Sequence, residues 1–224
     1  MDILPIALLG GILGLDVVTF PQAMISRPIV AATAAGAFIG HPMAGLIVGA
    51  VLELMALGML PFGASKYPEW GSASVVGGAL YAAQSGDSSG ALAASVLAAL
   101  IAALASGWSM VRLRRLIAAR AARERAALDA GLVDAIVGLQ VFGLTADFVR
   151  GGIVTFIAML LFRPLVAAIV SHWGTDATLS RAVVVTIGAA VAAGAIWKIF
   201  HSLPLARVLF LGGLVLGVTL LVVR

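Results

Sequence analysis

Apolar stretches of about 20 residues, long enough to cross the hydrocarbon layer of a bilayer, recur from the start of this sequence to its end. They run roughly over 3–24, 28–40, 43–61, 71–83, 90–111, 132–149, 151–171, 182–200 and 203–223. Within them Ala, Leu, Val, Ile and Gly follow one another without strict apolar/polar alternation, so they read as helices and not as strands of a membrane barrel. With 62% of residues apolar, 11% charged and a mean hydropathy of +1.14, most of the chain needs lipid as its solvent. The expected fold class is all-α: one polytopic transmembrane domain over residues 1–224.

Several segments are too short to cross alone. The stretch 28–40 runs into His41-Pro42, and 71–83 ends at Gln84-Ser85-Gly86-Asp87. Both are expected as half-helices or arms of re-entrant hairpins, because broken backbone at membrane depth is tolerated where protein or a water-filled cavity surrounds it. Pairs at Gly10/Gly14, Gly36/Gly40 and Gly45/Gly49 have the spacing that lets helices approach closely. An echo between Arg27-Pro28-Ile29-Val30-Ala31-Ala32 and Arg163-Pro164-Leu165-Val166-Ala167-Ala168 hints at duplicated halves.

The net charge of +4 is concentrated in Arg112, Arg114, Arg115, Arg120, Arg123 and Arg125. The positive-inside rule places that stretch, about 112–130, in a cytoplasmic loop, which explains the charge better than nucleic-acid binding does. If every segment crossed, the N-terminus would face outward and the C-terminus inward. The start of the chain lacks the basic flank of a secretory signal and is read as mature protein. There is no cysteine, which removes thiol nucleophiles, disulfides and sulfur-ligated metals. His41, His172 and His201 have no metal-site or triad spacing, and no nucleotide motif is present. No cofactor, metal or catalytic residue is expected.

Glu53 stands in the middle of an apolar segment, where a carboxylate costs at least about 2.5 kcal/mol unless it faces a partner, a cavity or a ligand. A solute or coupling role is set against a structural hydrogen bond. Asp16, followed by Thr19 and Gln22 around Pro21, is a second such acid. Carboxylate and amide groups at a break can bind sugar hydroxyls, and helix capping is the alternative. The run 61–71 gathers Ser65, Lys66, Glu69, Tyr67 and Trp70, which suits either a carbohydrate site or an interfacial loop. Asp147 and Arg150 bracket a segment end and are placed to pair.

At these residues the sequence resembles the IIC membrane subunit of the mannose/fructose/sorbose family of bacterial phosphotransferase systems. The resemblance is carried by Ile25-Ser26-Arg27-Pro28-Ile29-Val30, by the run from Gly45 through Gly49 to Leu52-Glu53-Leu54, and by Phe62-Gly63-Ala64, in that order and spacing. Where the family commonly has Pro-Asp, this chain has Pro68-Glu69, preceded by an unusual Lys66-Tyr67. The resemblance implies a multi-pass subunit of the bacterial inner membrane that translocates a sugar. It also implies an oligomeric assembly with a IID membrane subunit and cytoplasmic IIA and IIB proteins that phosphorylate the sugar. Glu53, Glu69, Gln22, Asp16 and Lys66 are then expected to bind substrate, with Trp70 as a stacking face and Arg27, Pro28, Gly49 and Gly63 as motif positions. A free-standing proton-coupled or facilitative transporter of a small polar solute and a scaffold docking partners through Arg112 to Arg125 are the competing expectations.

Overall fold

The computed structural model describes residues 2–58, 66–84 and 88–222. Among them the chain is all-α, without a strand: α1 (Ile3–Leu15), α2 (Pro28–Ile39), α3 (Pro42–Ala56), α4 (Trp70–Ala83), α5 (Ala91–Arg123), α6 (Arg125–Asp129), α7 (Val133–Ser171), α8 (Ala177–Phe200) and α9 (Ala206–Val222). The helices α5, α7 and α8 are long and apolar enough to span a membrane. In contrast α1 to α4 hold 12 to 15 residues each, about 18–22 Å of helix, which falls short of the roughly 30 Å hydrocarbon layer.

Local chemistry explains the short pieces. Pro28 and Pro42 open α2 and α3 at the first helical position, where a missing N–H is harmless. Gly40, at φ +94°, closes α2 in the left-handed conformation and donates its N–H to Ala37. Gly40 is therefore a cap, whereas Gly36, Gly45 and Gly49 are packing positions. A Cβ on Gly36 would lie 2.8 Å from the Gly45 backbone, and one on Gly49 would lie 2.8 Å from Ile29 Cα. These contacts hold α2 and α3 together as a tight hairpin. Against it lies α4, in which every residue from Trp70 to Ala82 is buried; a water-excluded helix with α1, α2, α3, α5 and α7 packed around it is the centre of the core.

The segmentation differs from the sequence reading in three places. The first apolar stretch stays helical only to Leu15, and residues 16–27 fold irregularly around Asp16. The stretches 132–149 and 151–171 are one helix, α7. Arg150 pairs with Asp147 one turn earlier, so the charges that suggested a break neutralise each other within the helix, and Gly151 packs so closely on α1 that a Cβ there would lie 3.2 Å from the Gly10 carbonyl. The basic stretch after Val111 continues α5 without interruption and, with α6 and the start of α7, forms the tip of a helical hairpin. The two Arg-Pro echoes also differ in setting: Pro28 begins a helix, and Pro164 lies inside α7.

The bundle has two distinct ends. At one, the last turn of α1 meets the first turn of α4, with Gly71 against the Leu13 carbonyl, beside Ser106 of α5 and Arg150 of α7; the basic hairpin extends from this end. The other end gathers Asp2 just before α1, Ile6 of α1, Phe38 and Ile39 of α2, Gln84 and Arg163. Leu161, Leu209 and Val215 typify an outer surface whose apolar side chains are largely exposed, the surface that a bilayer covers. Between α7 and α8, Asp176 caps α8 by accepting the Leu179 N–H at 3.0 Å. That bond holds its carboxyl below the usual carboxylate range.

Candidate functional site

Three acids at the hairpin end of the bundle organise three different structures. Asp16, 2% exposed, lies just past α1. Its Oδ1 accepts the Ala23 N–H at 2.6 Å, and its Oδ2 accepts the Ser26 N–H at 2.9 Å and the Ser26 hydroxyl at 2.8 Å. One buried carboxylate thereby closes the loop 16–27 on itself, including Gln22 and Met24 at φ +58° and +62°. The Gln22 amide bonds the Val18 carbonyl at 2.9 Å, and the residue stays exposed.

That loop delivers Arg27 to the start of α2. The Arg27 guanidinium forms an ion pair with Glu53 of α3, and the Ile29 N–H donates to Glu53 Oε2 at 3.3 Å. The carboxylate thus caps the positive end of α2 from a neighbouring helix. Gly49, one turn before Glu53, lets α3 come close enough for this. Both side chains keep access to the outside, at 36% and 19% exposure. Glu53 therefore has a counter-group and a helix terminus, and part of its side chain stays open.

Glu69 is placed very differently. It is fully buried as the N-cap of α4. Its Oε1 accepts the Gly71 and Ser72 N–H groups at 2.6 and 3.2 Å. Its Oε2 accepts the hydroxyls of Ser72 and of Ser106, the latter at 2.6 Å. Ser106 relays the charge onward by accepting from Arg150 Nη1 at 2.7 Å, and Arg150 Nη1 also reaches the Ser109 hydroxyl at 3.2 Å. Arg150 Nε donates to Asp147 at 2.8 Å, and Asp147 in turn accepts the Thr19 hydroxyl from the loop. Arg150 Nη2, 4.0 Å from Glu69 Oε2, is buried without a hydrogen-bond partner. Two carboxylates and one guanidinium are thus sealed in the bundle by hydroxyls and backbone N–H groups, and they tie α4, α5, α7 and the loop 16–27 together.

Of the residues singled out from sequence, Arg27, Pro28, Gly49 and Glu53 meet in one place. Asp16 and Gln22 belong to the loop leading into it. Glu69 belongs to the buried cluster, and Trp70, 8% exposed, sits beside it at the start of α4. Lys66 is exposed, and Gly63 lies outside the described residues. The participants that sequence reasoning did not single out are Ser72, Ser106 and Ser109; serines spaced along apolar helices were the available signal. Among the described residues no group of three or more His, Cys, Asp or Glu side chains is placed to hold a metal ion.

Residues 1–222 match the protein family described as the PTS system sorbose-specific IIC component. Over 50 residues the chain is 40% identical to the PTS system sorbose-specific EIIC component of Lacticaseibacillus casei. That stretch covers 22% of this chain and 18% of the relative.

Proposed function

Because the chain belongs to the sorbose-specific IIC family of phosphotransferase systems, we propose that it is the subunit through which a sugar of the mannose, fructose, sorbose or amino-sugar class crosses the bacterial inner membrane. The whole chain acts as one membrane-embedded domain, with the hairpin beyond Val111 on the cytoplasmic side. Transport is coupled to phosphorylation of the arriving sugar by IIA and IIB proteins, with a IID subunit beside this one in an oligomeric assembly.

The observation that carries this reading is the state of Glu53. It is an acid among apolar helices, paired with Arg27, set at the N-terminus of α2 and still partly exposed. A sugar hydroxyl donates to such a carboxylate while the guanidinium and the Ile29 N–H hold the charge in place. Gln22, in the loop, and Lys66, both exposed, are further polar groups available to a sugar. Asp16 shapes that loop, and Glu69 with Trp70 sets the position of α4.

A hydrogen bond to a charged group contributes about 1.5–3 kcal/mol, which corresponds to a tenfold to hundredfold change in binding. In cells holding the chain with its host's phosphotransferase partners, Glu53→Gln should lower sugar uptake at least tenfold while the protein still reaches the membrane. Uptake should require a phosphoryl donor and persist when the proton gradient is collapsed. Donor-independent uptake that stops with the gradient would overturn group translocation in favour of a free-standing transporter.

A further inference from the structure

At the end of the bundle away from the basic hairpin lies a cavity of about 410 Å³, bounded by His41, Leu80, Gln84, Arg163 and Ala167 among others. We infer that this cavity is an outer vestibule that receives one uncharged polyol of monosaccharide size before it reaches the Glu53 end of α2. The inference rests on the transport reading above and adds an entry site and a charge preference to it.

Placement is the first argument. Arg163 is 13 residues along α7 from Arg150 and 30 from Val133, so by helical rise the cavity lies about 20 Å from the buried cluster and about 45 Å from the hairpin tip. If the hairpin is cytoplasmic, a cavity at this depth opens on the other face. It borders the C-terminal end of α2, while Glu53 caps the N-terminal end about 18 Å away. The two polar places thus mark opposite ends of one short helix in the core.

Lining chemistry is the second. The volume falls within the roughly 300–1,000 Å³ usual for small-molecule sites, and apolar walls carry a few polar groups, the mix such sites use. Gln84 offers both a donor and acceptors, Arg163 offers donors, and His41 adds a ring nitrogen. Both α2 and α4 end beside this cavity, which places their partial negative charge and the Arg163 guanidinium along its walls. A few donors and acceptors on apolar walls, with two helix C-termini beside them, suit hydroxyl groups and give an anion little net attraction. Pro164 withholds one hydrogen bond from the α7 ladder beside Arg163, an irregularity that the membrane interior tolerates at the edge of a polar cavity.

The chain contains no cysteine, so Ala83→Cys places its only thiol on the cavity wall, at an exposed alanine. In intact cells carrying the host's phosphotransferase partners, a membrane-impermeant maleimide should label it from outside. Free mannose, fructose or sorbose, tested singly, should protect it, slowing labelling about tenfold at ten times the half-saturating concentration of the sugar that binds. Gln84→Leu and Arg163→Gln should each weaken that protection and raise the half-saturating concentration for uptake more than they lower the maximal rate. Labelling confined to inverted vesicles, labelling unaffected by all three sugars, or equal protection by a sugar phosphate or inorganic phosphate would each overturn the vestibule. Donor-dependent uptake with an unprotected thiol rejects the vestibule alone; sugar protection without donor-dependent uptake keeps the vestibule and rejects the phosphotransferase coupling.

Discussion

Glu53 and Glu69 are both carboxylates at helix N-termini on the same end of the bundle, and they have opposite surroundings. Glu69 is saturated: two backbone N–H groups and two serine hydroxyls fill its oxygens, and water has no access. Glu53 holds one guanidinium and one long backbone contact, with part of its side chain open. A buried acid whose acceptor sites are all used inside the fold is committed to structure, because a ligand could engage it only by displacing bonds already made in a water-excluded place. An acid with a single flexible partner and an open side can exchange that partner for cargo. Saturation and access, more than membrane depth, separate the two.

The sharpest way to break this contrast is to remove the cation of the sealed cluster. Arg150→Met leaves the buried Glu69 and Asp147 without their shared counter-charge, and breaking a buried ion pair from one side costs about 3–5 kcal/mol. The expected outcome is a large fall in the unfolding temperature of the detergent-purified protein and poor accumulation in the membrane. Removing all three charges together, with Glu69→Gln, Asp147→Asn and Arg150→Met, should cost less than Arg150→Met alone, since no unpaired charge remains. Equal stability of wild type and Arg150→Met would show that the cluster does not hold these helices.

The hairpin that brings Glu53 to α2 has its own weak point. Gly45 faces Ala32 and Gly36 of α2 with no room for a side chain. Gly45→Val should push α3 away at a cost of about 1–3 kcal/mol and separate Arg27 from Glu53 at the same time, so uptake and stability should fall together in thermal unfolding and transport assays. Glu53→Gln should split those two readouts. A partly exposed ion pair contributes about 0–1 kcal/mol, so the unfolding temperature should hardly move while uptake collapses. An Arg27→Gln, Glu53→Gln cycle measures the pair directly. Strong destabilisation by Glu53→Gln would erase the distinction between the two acids.

The sequence made the lipid-facing character of the chain, the all-α class and the oddity of Glu53 legible because each depends on local composition: apolar runs, absent alternation, one charge where charge is costly. The bounds of α2 at Pro28 and Gly40 were equally readable, although Gly40 caps the helix and does not pack as its spacing from Gly36 suggests, and so was the pairing of Asp147 with Arg150, which needs only the i, i+3 spacing of a helix. The setting of Glu69 was not. Its decisive partners are 37 and 81 positions away, at Ser106 and Arg150, and no local pattern tells which face of α5 or α7 turns toward α4. The same limit explains the join of two apolar stretches into α7: a charged pair followed by two glycines reads as a boundary until a neighbouring helix, here α1, is seen to pack against it.

The basic hairpin supplies the smallest effect and a control for the others. Arg125 and Asp129 form a 3.4 Å pair on α6, but their side chains are 81% and 71% exposed. Water and salt screen such a pair, and holding two mobile side chains together costs nearly what the attraction returns. Arg125→Ala should therefore change stability by less than about 0.5 kcal/mol and leave the unfolding temperature unchanged within error. If it lowered sugar uptake all the same, the loss would lie in contact with a soluble partner rather than in the fold, and phosphoryl-donor-dependent uptake at rising ionic strength would reveal it by weakening wild type toward the variant. An unchanged rate at every salt concentration would confine the charge of Arg125 to membrane orientation, which leaves the acids at 53 and 69 as the pair whose surroundings decide their roles.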